Sequence, residues 1–217
     1  LIENGDDVDF SWRFFNADGS EAEMCGNGGR CAARYCFLKG IAPELMTFRT
    51  LAGAIKAQVM GSNVKLQLTS PHELKLDYPI QIDDKEIFLN SVNTGVPHAV
   101  LIVDDVDRLH VEELGRTIRF HKAFGEKGSN VDFVQIEGKN RIRIRTYERG
   151  VEAETLACGT GAVASGVVLS KKGLVQSPVD VVTRGGETLK VHLNDDVFLE
   201  GDTRIIYVAT LHEEALS

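Results

Sequence analysis

The chain has no long apolar run, no cluster of basic residues and no closely spaced cysteine pairs. No stretch of its 217 residues is apolar over the roughly 20 positions that a membrane-spanning helix needs. Lysine and arginine number 24 against 32 aspartates and glutamates, giving a formal net charge of −8. With no Lys/Arg run to offset it, that balance argues against a general nucleic-acid surface, and functional cations are expected to be few and singly placed. The four cysteines are Cys25, Cys31, Cys36 and Cys158. Their spacings are not those of a zinc site, no paired histidines follow, and they are too sparse for a secreted disulfide framework. The resulting expectation is a reducing, cytoplasmic setting with no metal. Residues 1–7 have neither the basic end nor the apolar core of a signal peptide, and the chain does not open on methionine.

What is present is an ordinary globular composition, 43% hydrophobic and 26% charged, long enough for one large domain or two small ones. Most of it reads as short strands. Residues 8–15 are strand-like and lead into a turn at Asn16-Ala17-Asp18-Gly19. Apolar and polar residues alternate over 64–68, 86–89 and 141–145, and a buried strand is expected over 99–103. Further strands are expected over 179–183, 188–193, 197–200 and 204–208. Two segments break the pattern. Residues 30–38 and 162–169 read as helices, each stopped by a Lys-Gly pair, and the second is apolar all round, so a sheet should wrap it.

The most informative feature is a repeated setting around two cysteines. Cys25 stands in Glu-Met-Cys-Gly-Asn-Gly and Cys158 in Leu-Ala-Cys-Gly-Thr-Gly, 133 residues apart, each leading into one of the two helices. A thiol before a glycine-rich turn into a helix N-terminus is expected to have a lowered pKa, because free backbone N–H groups and the helix dipole favour thiolate. The shared unit implies an internal repeat and two similar lobes facing across a cleft, with the boundary at Thr69-Ser70-Pro71. The last strand, near 204–211, is expected to cross back to the first lobe.

If both turns open into the cleft, their N–H groups would hold a carboxylate and the thiols would flank the carbon beside it. One thiolate removing the α-proton and one thiol returning a proton to the opposite face inverts the centre, without an organic cofactor or metal. Two alternatives stay open: each cysteine is a buried small hydrophobe, or the pair forms a redox or structural disulfide. Cys31 and Cys36 read as helix-packing residues. Arg149 in Glu148-Arg149-Gly150 suits bidentate capture of a second carboxylate and Glu148 an ammonium group, although such a pair is equally readable as a solvated ion pair. Asn16 and Asn130 are neutral hydrogen-bonding candidates or plain turn residues. His98 reads as structural.

At these residues the chain resembles the diaminopimelate epimerase family. The resemblance rests on 16–31 around Cys25, on Tyr147-Glu148-Arg149-Gly150, on 155–162 around Cys158, and on 95–98 and 129–133. It implies an α/β (α+β) fold of two pseudo-symmetric lobes, each a curved, mostly antiparallel sheet around a central helix. Residues 1–69 would form the first lobe, incomplete at its start and completed by 204–217, and 70–203 the second. It implies interconversion of LL- and meso-diaminopimelate in lysine and peptidoglycan-precursor synthesis, with no cofactor. Cys25 and Cys158 become the acid/bases. Asn16, Gly26, Asn27, Asn130, Glu148, Arg149, Gly159 and Thr160 become the substrate-binding residues. The implied partner is a small-molecule substrate, with no nucleic acid and no membrane; a homodimer is compatible. Related proline or hydroxyproline racemases, phenazine-type isomerases, and a non-catalytic dithiol module are the alternatives.

Three departures from the family pattern stand out. Its N-terminal strands with a Gly-Asn-Asp-Phe motif are absent, so the chain reads as N-terminally truncated. Val96 stands where many relatives have asparagine. The segment 151–154 is one residue longer than the most familiar spacing.

Overall fold

The computed structural model describes residues 1–16, 18–210 and 212–216. Apolar residues at every second position make most of the chain strand, because period-two spacing buries one face of an extended backbone. In order, the first part carries β1 (Ile2–Glu3), β2 (Phe10–Trp12), β3 (Phe14–Phe15), β4 (Glu21–Ala22), helix α1 (Gly26–Leu38), β5 (Leu45–Thr50), β6 (Gly53–Met60) and β7 (Asn63–Gln67). There follow β8 (His72–Ile82), β9 (Lys85–Asn93), β10 (Pro97–Ile102), helix α2 (Val111–Arg119) and β11 (Asn130–Gly138). The last part carries β12 (Arg141–Glu148), β13 (Ala153–Thr155), helix α3 (Gly159–Lys171), β14 (Val179–Val182), β15 (Thr188–Leu193) and β16 (Val197–Asp202).

Apart from the small β3–β4 ribbon, the strands join one mostly antiparallel sheet in the order β1-β2-β5-β6-β7-β16-β15-β14-β12-β11-β10-β9-β8, with β13 alongside β12. The internal repeat is visible in its pairing. β2 runs parallel to β5 with α1 between them in sequence, and β12 runs parallel to β14 with α3 between them. Both helices are 13 residues long, and their first residues, Gly26 and Gly159, are 133 apart, the separation of the cysteines. Each helix is followed by a three-stranded meander, and the two meanders meet where β7 pairs antiparallel with β16.

Within that seam Leu66 lies opposite Leu199, again 133 residues apart, while Lys65 faces Glu200 and Gln67 faces Phe198. A two-fold relation requires a residue to face its own equivalent at the axis, as in an isologous interface. The Leu66–Leu199 pair therefore marks the axis of the repeat. Both leucines are fully buried, and one continuous apolar core spans Phe10 and Phe48 on one side and Val163, Leu169 and Val191 on the other. α3 is buried from Gly161 to Leu169, as its all-apolar sequence requires, whereas α1 buries only one face and leaves Tyr35 and Leu38 exposed. No helix among the described residues is long and apolar enough to cross a membrane.

Several expectations need correction. Both helices start earlier than their apolar stretches, at Gly26 and Gly159, because the preceding cysteines take extended N-cap conformations and the glycines form the first turn. Strand structure over 8–15 is confined to 10–12 and 14–15. Residues 204–208 are not a strand and do not cross back to the first half. From 203 to 210 the backbone has no regular structure, and Ile205, Ile206, Tyr207 and Val208 are exposed, since no strand pairs with them. Leu211, the end of that expected strand, and Ala17, in the expected turn, lie outside the described residues.

Candidate active site

The two cysteines occupy equivalent places. Cys25 is the N-cap of α1 (φ −140°, ψ 115°) and Cys158 the N-cap of α3 (φ −123°, ψ 110°). An N-cap side chain points toward the free N–H groups of the first turn. Cys25 Sγ accepts from Gly28 N–H at 3.4 Å, and Cys158 Sγ lies 3.4 Å from the Thr160 hydroxyl. Both are free thiols.

The glycines in these turns are demanded by close approach rather than by backbone angle. A Cβ on Gly28 would stand 3.0 Å from the Trp12 ring, one on Gly29 2.9 Å from Leu66, and one on Gly161 2.3 Å from Asp132 Oδ1. A Cβ on Gly159 would stand 2.9 Å from Leu199 Cδ2 and 4.0 Å from Asn27 Oδ1. The first turns of α1 and α3 thus lie next to each other over the central leucines, and two sets of helix N–H groups converge on one place.

The expected lowering of the thiol pKa is reversed at Cys158. It is 7% exposed and its thiol is pushed up to about 12. Burial is the main cause, and the negative charges of Asp132 and Glu148 add to it; the Thr160 hydroxyl and the Gly161 N–H oppose them and lose. Cys25 is half-exposed. Cys36 is buried and pushed up to about 11 by burial, in keeping with its packing role, whereas Cys31 is exposed on α1 and does not pack.

Asp132 sits between Val131 and Phe133 on β11 and is fully buried. Its carboxylate meets His98 Nδ1 at 2.7 Å and accepts from the Thr146 hydroxyl at 2.7 Å. His98, read as structural, is thus a buried partner of this carboxylate, and among the described residues its Nε2 has no hydrogen-bond partner. Asp132, Thr146 and Thr94, whose hydroxyl donates to the Thr160 carbonyl at 3.2 Å, belong to the site's surroundings and escaped the sequence reading. An aspartate inside Val-Asp-Phe-Val was the available signal, because a carboxylate on a buried strand must find partners.

The remaining candidates divide by whether their polar groups are already engaged. Asn130 spends its amide on backbone: Nδ2 donates to the Pro97 carbonyl at 3.2 Å and Oδ1 accepts from Arg149 N–H at 2.8 Å. It fixes the start of the Glu148-Arg149-Gly150 turn. Asn16 Nδ2 donates to the Ser20 hydroxyl at 3.0 Å within its own turn. Asn16 and Arg149 are themselves 133 residues apart, so they close equivalent strand ends in the two halves. Arg149 is half-buried and has no carboxylate partner among the described residues, whereas nearby Arg119 is tied to Glu152 at 3.0 Å. Glu152, in the longer 151–154 segment, adopts a left-handed backbone (φ 58°). Its carboxylate accepts from Gly150 N–H at 3.0 Å, and that bond, with Arg119 beside it, holds its pKa below the usual range. The extra residue is absorbed in a pinned turn, and the Arg149 side chain is left unpaired.

Among the described residues no group of histidine, cysteine, aspartate and glutamate side chains could hold a metal ion. Cavities of about 580 and 750 Å³ lie beside the C-terminal part of α3 and beside β8 and β9, and neither is lined by Cys25, Cys158 or Arg149. The candidate site is therefore marked by the converging helix ends and not by those cavities.

A family model described as diaminopimelate epimerase matches residues 1–72 and 90–206. The diaminopimelate epimerase of Aquifex aeolicus is 50% identical over 224 residues, covering 100% of this chain and 80% of that protein. That of Hydrogenobaculum sp. is 51% identical over 210 residues, covering 94% of this chain and 76% of that protein. Among solved structures, a probable proline racemase from Agrobacterium radiobacter superposes with a TM-score of 0.72 at 18% identity, covering 93% of this chain and 71% of that one. A phenazine biosynthesis protein of the PhzF family from Bacillus anthracis gives 0.70 at 14% identity, covering 93% and 80%. These two likenesses concern the fold alone.

Proposed function

Because the chain belongs to the diaminopimelate epimerase family, we propose that Cys25 and Cys158 are the two acid/bases of its reaction, the interconversion of LL- and meso-diaminopimelate. The protein is an isomerase of lysine and peptidoglycan-precursor synthesis, and its small-molecule substrate is the partner the site requires. We place it in the cytoplasm, where that substrate is made. Residues 1–69 form one lobe and 70–203 the other, meeting along β7 and β16.

In the proposed mechanism, a thiolate on one cysteine takes the α-proton. The electron pair left on the α-carbon spreads into the adjacent carboxylate, whose growing charge the N–H groups of both helix ends oppose. The other cysteine gives its proton to the opposite face of the carbon. The centre is inverted, and thiol and thiolate have changed places, so the reverse reaction uses the same groups in exchanged roles. Cys158, with its raised pKa, enters as the proton donor. Gly26, Asn27, Gly159 and Thr160 contribute the first-turn donors around the reacting carboxylate. Arg149, free of any protein carboxylate, and Glu148 take the distal amino-acid end. Asn130 acts by fixing the Arg149 backbone, and Asn16 closes the equivalent turn of the other lobe.

One observation carries this assignment: two cysteines cap two helices of equal length, related by the same 133-residue offset as the leucines on the axis between them. Neither packing nor capping alone calls for a cysteine at both places, and threonine or serine caps helices better. The test is proton exchange in D₂O with the thiols kept reduced. Wild-type protein should place deuterium at the α-carbon of diaminopimelate while interconverting the isomers. Cys25→Ala and Cys158→Ala should each abolish epimerisation. Normal turnover by either variant would refute the two-base mechanism.

A further inference from the structure

We propose that Arg30 is a positioning residue for the epimerisation, holding the Asn27 amide by its oxygen so that Nδ2 is presented as a donor to the substrate. The proposal rests on the assignment of Asn27 to substrate binding. Arg30 is the fifth residue of α1 and only 4% exposed. Its Nη2 donates to Asn27 Oδ1 at 3.0 Å and its Nη1 to the Gly26 carbonyl at 3.5 Å, and among the described residues its Nε has no partner. An arginine can only donate, so the contact fixes which end of the Asn27 amide turns inward. Asn27 is exposed, and among the described residues its Nδ2 makes no hydrogen bond.

A guanidinium is an expensive way to fill this position. No carboxylate forms an ion pair with it among the described residues, and burial pulls its pKa down, with Glu187, Cys31 and Cys25 opposing only through longer-range attraction. It also stands in the second turn of a helix whose N-terminal end is already positive, where a cation is disfavoured. Packing does not require it, since the equivalent position in α3, 133 residues on, is the fully buried Val163. Space has nevertheless been kept for it: a Cβ on Gly201 of β16 would stand 3.2 Å from Arg30 Cζ and Nε. A buried cation without a counter-charge, four residues behind the first residue of α1, is favourable only when an anion sits in front of it. The substrate carboxylate is that anion.

The test compares Arg30→Lys, Arg30→Met and Asn27→Ala in steady-state assays with diaminopimelate. Lysine keeps the charge and loses the planar fork, so Arg30→Lys should raise KM roughly ten-fold, the lower end of losing a hydrogen bond to a charged group, with kcat little changed. In the Asn27→Ala background the same substitution should change KM by less than about two-fold, since groups acting as a unit are not additive. Arg30→Met should raise KM further while leaving the melting temperature no lower than that of wild type, which a structural arginine would not allow. An unchanged KM in Arg30→Lys, an effect that persists undiminished in the Asn27→Ala background, or failure of Arg30→Lys to fold would each overturn the proposal. An unchanged KM in Asn27→Ala alone would instead overturn the assignment of Asn27 to the substrate.

Discussion

The environment of Cys158 should make the protein lose stability at alkaline pH in a way that a single substitution removes. An unfolded cysteine titrates near about 8.5, and in the folded protein the thiol is pushed up to about 12. The folded state therefore holds this proton more tightly. The associated stability is fully present below about pH 8.5 and falls by about 1.4 kcal/mol per pH unit until the folded-state pKa is passed. Between pH 8 and pH 10 the loss should be about 2 kcal/mol. Cys36, pushed up to about 11, contributes in the same direction, so the quantity to measure is the difference between wild type and Cys158→Ala, which share Cys36. Urea denaturation at both pH values under reducing conditions gives it directly: the stability of wild type relative to the variant should fall by about 2 kcal/mol on going to pH 10. The same environment predicts that at pH 8 iodoacetamide alkylates exposed Cys31 far faster than Cys158, whose thiolate fraction is about one in ten thousand at that pH. A pH-independent stability difference, or equal alkylation rates, would refute the burial argument.

Gly161→Ala should cost about 1–3 kcal/mol by overpacking and lower kcat, because its Cβ would lie 2.3 Å from Asp132 Oδ1, to which the Thr146 hydroxyl donates, while His98 holds the other oxygen of that carboxylate; denaturation and turnover measurements check both. Leu199→Ala should destabilise by about 3 kcal/mol and also reduce kcat, since Leu199 packs under the first turns of both helices. A stability loss with unaltered kcat would show that the leucine on the axis does not align the helix ends. Arg149→Ala should raise KM with kcat nearly unchanged, as expected for binding that is equal in ground and transition states; steady-state kinetics decide it.

Strands were legible where polar and apolar residues alternate, although 86–89 and 141–145 stop short of the full strands Lys85–Asn93 and Arg141–Glu148. Residues 188–193 bury Leu189 and Val191 against α3 and end where the pattern ends. The run 204–208 has an equally strand-like composition, but strand formation needs a neighbouring edge, and none pairs with it. The helix starts were misplaced because glycine reads as a helix breaker. Here Gly28 and Gly29 lie within the helix, where Trp12 and Leu66 come too close for a side chain. α2 escaped for a similar reason: Gly115 interrupts an otherwise regular 111, 114, 118 pattern, and a Cβ there would stand 2.5 Å from that of Tyr147. The two cysteines and the Glu148-Arg149-Gly150 turn were readable because their chemistry is local. The state of the Cys158 thiol was not, because it depends on burial and on Asp132, 26 positions away in sequence.

The repeat supplies two equal turns, and the surroundings then make them unequal. α3 is buried from Gly161 to Leu169, and Cys158 feels the negative charges of Asp132 and Glu148. α1 is half-open, and Arg30 stands where α3 has Val163. Burial and negative charge keep the proton on Cys158, and the buried Arg30 lies in the other helix. In the proposed inversion one thiol and one thiolate must be present at the same moment. Two coupled thiols in identical surroundings would share that one proton equally. In the proposed mechanism, departure from symmetry at these few positions assigns that proton to Cys158.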